Sequence, residues 1–593
     1  MTADTPATGT SATGTATPAE ANPGTETGRA LEAYLAGLRP LQERLRPAGT
    51  PHRVHYPLGE LTLPEYVDEW ARRRPETTAI AFEGTRISYA DLAERVARIA
   101  GWMESVGVTA GDRVAVFMPN APQFVITMLA ALRLGAVHVP VNPMFQATEL
   151  SYELADSGAT VVVTFDELYP RLATALETDG VNVARVLVTG PRELASEASP
   201  PTAVEGEVTR WAEAVAAEPV PVRSHDIDAL AALNYTGGTT GLPKGCQHTQ
   251  RHMIYTAASS AGATRESSET GFVAVCYIPI FWIAGENLGI LNPLVLGGTV
   301  VLLSRWNART VLEAIETHGA TTMVGTVENY LELLDQPDLG ERDLSTLRDP
   351  MAVSFVRKMT PEVRAAWQAA VGDHSVLREG AYGMTETHTM DVTPFGLAAA
   401  DADLRAEPVF CGIPVPGTDV AVVDFTTGMP LPLGEAGEIL VRSPSVMTGY
   451  WNKPEATARQ LVGGWLHTGD NGRIDDQGCL HYLGRDKDMI KVNGMSVFPA
   501  EVELLLCGHP GVRTVAVVAA EHPDTGQTPV AFVNPNPEAD LDPDELRTWA
   551  RDQMAGYKVP VVEVVEDFPM TATGKIRKVE LADRAQQIVD ARR

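Results

Sequence analysis

Short β-branched runs separated by amphipathic stretches set the pattern of this chain. "RVAVFMP" (Arg113 to Pro119), "AVHVPV" (Ala136 to Val141), "TVVVTF" (Thr160 to Phe165), "TVVLLS" (Thr299 to Ser304) and "TTMVGT" (Thr321 to Thr326) repeat one theme. Between the first two lies a helical stretch that Gly135 can end in a left-handed cap. Alternation of this kind predicts an α/β protein with helices packed on largely parallel sheets.

Two regions depart from the theme. From about Cys411 to Leu483 the chain is rich in Gly, Pro and short alternating runs such as "EILVRS", which predicts a small β subdomain. After "GRDKDMIKVNG" a compact α/β pattern begins, with a helix from Pro499, strands "RTVAVVAA" and "PVAFVNP", and a helix near "DELRTWARDQMAG". The expected organisation is an N-terminal tail over 1–28, a large domain over 29–486 and a small C-terminal domain over 487–593. In "RALEAYLAGLRPLQERLR" (Arg29 to Arg46) helical periodicity is broken at Pro40, which predicts two short helices.

Composition narrows the function. At 593 residues the chain exceeds a single core, so two or more domains are expected. A formal charge of -29 argues against nucleic acid or an anionic membrane as the main partner and makes any phosphate site a local feature. Five singly scattered cysteines, without a CxxC pair, predict neither a zinc site nor a disulfide framework and read as a reducing cytoplasm. The Thr/Ala/Pro/Gly-rich N-terminus lacks the basic and apolar regions of a secretion signal and reads as disordered. The most apolar long run, Phe124 to Val141, is interrupted by Arg133 and His138, so no membrane span is expected.

Candidate chemistry starts at "LNYTGGTTGLPKGCQHTQ" (Leu233 to Gln250). Following an apolar run and preceding a helix near Gln250, it reads as a strand-to-helix connection in which glycines allow close backbone approach to an anion. It is not a Walker A loop, because Lys244 lies between Pro243 and Gly245. Hydroxyls and one lysine suit a clamp on a departing diphosphate. Further on come "AYGMTETH" (Ala381 to His388), "GWLHTGDNGRID" (Gly464 to Asp475), "GRDKDMIKVNGMSVFPAEVE" (Gly484 to Glu503) and "FPMTATGKIRK" (Phe568 to Lys578).

These five segments, in this order, resemble the adenylate-forming superfamily of acyl- and aryl-CoA synthetases, luciferases and peptide-synthetase adenylation domains. The resemblance runs from about Leu61 to Arg577 and is nearest to fatty-acyl-CoA synthetases. It implies an ATP-dependent ligase that converts a carboxylic acid to acyl-AMP with Mg²⁺ and then passes the acyl group to coenzyme A, its small domain being mobile. It further implies that Thr236, Gly237, Gly238, Thr239, Thr240, Gly241 and Lys244 clamp the β- and γ-phosphates. Glu386, with Thr236, would hold Mg²⁺, Thr385 would bond the α-phosphate, and Tyr382 would stack on adenine beside Gly383 and Met384. Asp470 would bind the ribose, with Arg485 as a second contact and Tyr482 near the base. Lys575 would bridge the substrate carboxylate and the α-phosphate during adenylation, then leave as the small domain turns about Lys487. Lys491 and Gly494 would then face the thioester-forming site.

The acyl side departs from the family pattern. Trp282 in "IPIFWIAGE" stands where an aromatic or histidine is usual and reads either as a gate or as core. "AVSFVRK" puts Ser354 and Phe355 where small residues are expected, and Val327 replaces a frequent proline. Gly383, at the position of a pocket-closing tryptophan in acetate-using relatives, implies room for a medium or long, aryl or bulky polycyclic acid, with Gly325 and Phe355 also at the pocket. Two other readings stay open: transfer to an acyl-carrier protein or another nucleophile, and a noncatalytic relative that only binds nucleotide or acyl ligand.

Overall fold

The valine-rich runs form the central strands of two sheets. A computed structural model describes residues 25–236, 242–354, 357–406, 409–485, 488–493, 495–571 and 575–592. Among these, one seven-stranded sheet has, in spatial order, Thr209–Arg210, Arg185–Thr189, Val161–Phe165, Arg113–Phe117, Val137–Val141, Leu230–Tyr235 and Gly245–Thr249. All pairings are parallel except the last. A second seven-stranded sheet is likewise parallel apart from its antiparallel edge pair, Thr78–Phe82 with Thr85–Ser88. Every residue of helix Pro122–Arg133 is buried, and one apolar cluster joins it to strands of both sheets. Such all-round burial explains why its sequence lacks a polar face. Gly135 ends this segment at φ +75°, the left-handed conformation expected of it.

The β subdomain is larger than its composition suggested. An eight-stranded antiparallel sheet runs from Tyr382–Met384 to Leu480–Arg485, so it starts well before Cys411 and takes in the "YGMTETH" segment. Its first strands are too short to register as alternation. The N-terminal helix packs against this sheet as one unbroken element, Glu26–Leu45, capped by Thr25, in place of a tail to residue 28 and two helices parted at Pro40. Leu31, Leu35 and Leu38 are buried against Val420, Ala421, Val422, Val423 and Leu440. At roughly 1.5–3 kcal/mol per buried leucine, this outweighs the ~3 kcal/mol cost of an interior proline. Arg39 adds a bidentate pair with Asp419.

The C-terminal residues form a five-stranded sheet with its own core, its first strand, Ile490–Val492, following closely on Arg485. The predicted helix begins at Pro499 and the long hairpin is Val512–His522 with Gly526–Pro535. Strand Val561–Val564 and helix Lys578–Ala591 complete it. Helix Pro499–Cys507 rests on strands Val409–Pro414 and Leu480–Arg485, docking this domain on the β subdomain.

Candidate active site

The glycine-threonine loop occupies a different setting from the one its sequence suggested. Strand Leu230–Tyr235 precedes it and antiparallel strand Gly245–Thr249 follows it, with the helix starting at Gln250. "GCQHT" carries too little β-branched character to betray that strand. Gly237, Gly238, Thr239, Thr240 and Gly241 lie outside the described residues. At the mouth, Thr236 N–H donates to the Lys244 carbonyl at 3.0 Å, fixing where the tip begins and ends. Asp156 braces the base: its carboxylate accepts from Tyr235 Oη and Lys453 Nζ, each at 2.8 Å.

Three elements bring Lys244 and Glu386 together. Lys244 Nζ sits 4.1 Å from the centre of the Tyr450 ring, and Tyr450 Oη donates to Glu386 Oε1 at 2.7 Å. The Glu386 carbonyl accepts from Met447 N–H at 2.8 Å, so "MTGYW" clasps the acidic turn by backbone and side chain. Burial, then the Glu386 charge, push the Tyr450 hydroxyl far up, so it remains a donor. Sequence reading missed Tyr450; its signal was the aromatic inside a Gly-rich segment next to "WNKPEAT". Thr385 opens the short turn Thr385–Thr387, and its carbonyl meets His248 Nε2 at 2.8 Å. Met384 packs with Cys246, Met447, Tyr450 and Leu466.

The residues expected around ribose and base also converge. Asp470 lies in strand Trp465–Ile474, directly paired with Arg485 of the neighbouring strand. Tyr382 Oη donates to Asp470 Oδ2 at 2.9 Å, and Arg485 Nε is 3.6 Å from Oδ1. The Tyr382 and Tyr482 rings lie 6.0 Å apart. Burial raises the Asp470 carboxyl to about 6, against the opposing pull of Arg485 and Tyr382. A buried carboxylate with one cation and one hydroxyl is suited to accept further donors, such as the two hydroxyls of a ribose.

Lys575 comes from the other domain. The residue is exposed, and its ammonium is lowered first by partial desolvation and then by the charge of Arg485. Arg485, the strand neighbour of Asp470, is thus within electrostatic reach of a lysine from the C-terminal domain. Lys491 lies exposed in strand Ile490–Val492; Lys487 and Gly494 lie outside the described residues.

On the acyl side, Trp282 is half-buried and caps the short helix Ile283–Glu286. Gly325 faces Tyr277: a Cβ there would meet the Tyr277 hydroxyl at 2.7 Å. Val327 is the first residue of helix Val327–Leu334, the position at which proline is favoured, so the substitution keeps the helix start. Ser354 binds Glu379 through both N–H (3.0 Å) and hydroxyl (2.5 Å); Phe355 lies outside the described residues. Gly383 carries a different meaning from the one read in sequence. A Cβ there would lie 1.8 Å from the Thr389 carbonyl oxygen, so close strand approach demands glycine and nothing about acyl size follows.

Mg²⁺ keeps few protein ligands, drawing the rest of its shell from phosphates and water. Glu386, oriented by Tyr450 and close to Lys244, fits that donor set. Among the described residues, no group of three or more His, Cys, Asp or Glu side chains offers an all-protein metal site.

Comparison with known proteins gives these sheets, the docked small domain and the clustered side chains a family. The chain belongs to the AMP-binding enzyme family, whose profile matches residues 67–451, with the AMP-binding enzyme C-terminal domain matching 501–575. It is 35% identical to a feruloyl-CoA synthase of Amycolatopsis sp over 518 residues, covering 87% of this chain and 97% of that one. It is 31% identical to a long-chain-fatty-acid–CoA ligase of Bacillus subtilis over 558 residues, 91% of this chain and 96% of the relative. Among solved structures, the amide bond synthetase McbA of Marinactinospora thermotolerans superposes with a TM-score of 0.74 at 31% identity, covering 88% of this chain and 99% of McbA. The chain is thus an enzyme of the adenylate-forming superfamily, and the curated relatives named here are AMP-forming acid–thiol ligases. Among the described residues, no helix is long and apolar enough to cross a membrane.

Proposed function

We propose that the protein activates an aryl or medium-to-long-chain carboxylic acid as acyl-AMP and transfers the acyl group to coenzyme A. The observation that carries this reading is the convergence of Tyr382 and Arg485 on Asp470, with Arg485 within electrostatic reach of Lys575 from the C-terminal domain. The nearby Lys244–Tyr450–Glu386 unit then takes the other end of the nucleotide. In the first step a carboxylate oxygen attacks the α-phosphorus of ATP, and the bond to pyrophosphate breaks. Lys244 binds the departing phosphates, Asp470 fixes the ribose, and Lys575 offsets the charge gathering between carboxylate and α-phosphate. Mg²⁺ bound at Glu386 would neutralise charge on the β- and γ-phosphates. In the second step a thiolate attacks the acyl carbonyl and AMP leaves.

The feruloyl and fatty-acid specificities of the relatives support an aryl or long-chain acid. Similarity to an amide bond synthetase favours a second reading, in which an amine takes the acyl group. The test is pyrophosphate release with ATP and Mg²⁺ across fatty and aryl acids, with and without coenzyme A. Acid-dependent release that rises with coenzyme A, with thioester formed, is expected. Release indifferent to coenzyme A but raised by amines or an acyl-carrier protein would replace the thiol acceptor.

A further inference from the structure

One helix, Ala147–Ser157, is tied to the backbone on both sides of Lys244. Its Tyr152 and Asp156 stand four residues apart and so share a face. Tyr152 Oη donates to the carbonyl of Pro243, the residue before Lys244, at 2.9 Å. The carbonyl of Gly245, the residue after it, accepts from Trp451 N–H at 2.8 Å, and Trp451 Nε1 in turn donates to the Asp156 carbonyl at 3.0 Å. The Asp156 carboxylate takes Tyr235 Oη on one oxygen and Lys453 Nζ on the other. The Tyr235 ring is pressed against Gly245, where a Cβ would meet it at 3.1 Å.

These bonds decide where one ammonium sits. A lysine is a compact charge on a flexible four-carbon stem, so the place of its Nζ depends on how firmly its backbone and the surface beneath its stem are held. The backbone of Lys244 itself bonds only Thr236, through its carbonyl at 3.0 Å and its N–H at 3.5 Å. Its Nζ rests on the Tyr450 ring, and Tyr450 is joined directly to Trp451. Asp156, through Tyr235, Trp451 and Lys453, therefore secures both the strand ahead of Lys244 and the segment that supports its ammonium. Stability alone is a weak reason for this set, because a largely buried carboxylate paired with a lysine regains little beyond its own desolvation cost. Tyr152 is only half-buried, and its hydroxyl serves the Pro243 carbonyl.

We propose that Tyr152 and Asp156 are positioning residues for Lys244, fixing its ammonium for the β- and γ-phosphates of ATP while acting only through it. The inference rests on the reading of Lys244 as the phosphate-binding lysine and adds to it two residues remote from that motif. When the bond between the α-phosphorus and the bridging oxygen breaks, that oxygen leaves with the electron pair and negative charge grows on the pyrophosphate. A fixed ammonium meets that charge without reorganising, and a misplacement of about 1 Å can cost about a hundredfold in rate. Transfer of the acyl group from acyl-AMP involves no pyrophosphate, so it lies outside the reach of both residues.

The test uses the full chain and the variants Tyr152→Phe, Asp156→Asn, Lys244→Ala and the double variant of Tyr152→Phe with Lys244→Ala. Calorimetry gives affinities for AMP and for α,β-methylene-ATP with no acid present, and pyrophosphate release with ferulic or decanoic acid gives kcat/KM for ATP. The expected result is a fall of about three- to tenfold for Tyr152→Phe and about tenfold or more for Asp156→Asn, in the preference for α,β-methylene-ATP over AMP and in kcat/KM. Affinity for AMP, which lacks the β- and γ-phosphates, stays within about twofold of wild type, a selectivity that general loosening of the fold would not give. In the Lys244→Ala background Tyr152→Phe has no further effect, because its target is gone. Both single variants staying within twofold of wild type while Lys244→Ala falls at least tenfold would overturn the inference alone. An equal loss of AMP affinity, or a Tyr152→Phe effect that persists without Lys244, overturns it too. Lys244→Ala leaving both measurements unchanged removes the phosphate reading of that lysine, and the inference with it.

Discussion

Replacing Tyr450 by phenylalanine tests whether the hydroxyl between Lys244 and Glu386 serves adenylation. The substitution removes one 2.7 Å hydrogen bond to a carboxylate and leaves the ring beneath Lys244 Nζ. A hydrogen bond to a charged group contributes about 1.5–3 kcal/mol, and each ~1.4 kcal/mol is tenfold in rate. The expected loss is therefore about one to two orders of magnitude in kcat/KM for acid-dependent pyrophosphate release. Glu386, no longer held, must be ordered by Mg²⁺ and phosphate, so the apparent Mg²⁺ requirement rises. Tyr450→Ala also removes the cation–π contact, about 0.5–2 kcal/mol more. Conversion of preformed acyl-AMP to thioester needs neither Lys244 nor Glu386 and stays near the wild-type rate. The assay is pyrophosphate release against Mg²⁺ concentration, run beside thioester formation from purified acyl-AMP. Adenylation within twofold of wild type would refute the reasoning. So would an equal fall in both half-reactions, which would make Tyr450 a general packing residue.

Further outcomes follow at three other residues, Lys575, Asp470 and Arg364. Lys575→Ala should lower acid-dependent pyrophosphate release by at least a hundredfold while preformed acyl-AMP still yields thioester; an equal loss of both would remove the role given to this lysine. With the Asp470 carboxyl raised to about 6, KM for ATP should rise as pH falls through 6, and Asp470→Asn should raise KM and flatten that dependence. The same shift carries a stability sign: a folded-state pKa above the ordinary carboxylate value contributes stability present near pH 4 and lost as pH rises through 6. Asp470→Asn should therefore melt higher than wild type at pH 8 and not at pH 4, as read by thermal scans. Arg364 is buried with two bonds to the buried Asp403, at 2.6 and 2.8 Å, so Arg364→Leu should cost about 3–5 kcal/mol in denaturant unfolding through the stranded carboxylate.

The segments that carry chemistry were readable because nucleotide handling restricts residue type locally. Lys244, Glu386, Asp470 and Lys575 each stand inside a short run whose neighbours announce them, and the parallel sheets follow from runs buried on both faces. The partner of Glu386 was not readable, since it comes from a remote position with no motif of its own. Tyr450 reaches Glu386 across 64 residues in this way, whereas Tyr382, which bonds Asp470 across 88, was legible through its own motif. Local rules also failed where tertiary packing overrode them. Pro40 sits inside a helix because three leucines bury against the β subdomain, and "GCQHT" becomes a strand because Leu230–Tyr235 offers it an edge.

Gly383 and Glu286 show the two directions in which such failures run. The glycine invited a functional reading that the Thr389 carbonyl explains by sterics alone, whereas the glutamate, inside an apolar run, drew no attention until folding left its oxygen without a partner. Residue type near a motif therefore reports on chemistry only when its backbone has no steric reason to require it. A buried polar group that no partner satisfies comes to light only after folding, because the side chains around it are brought there from remote parts of the chain.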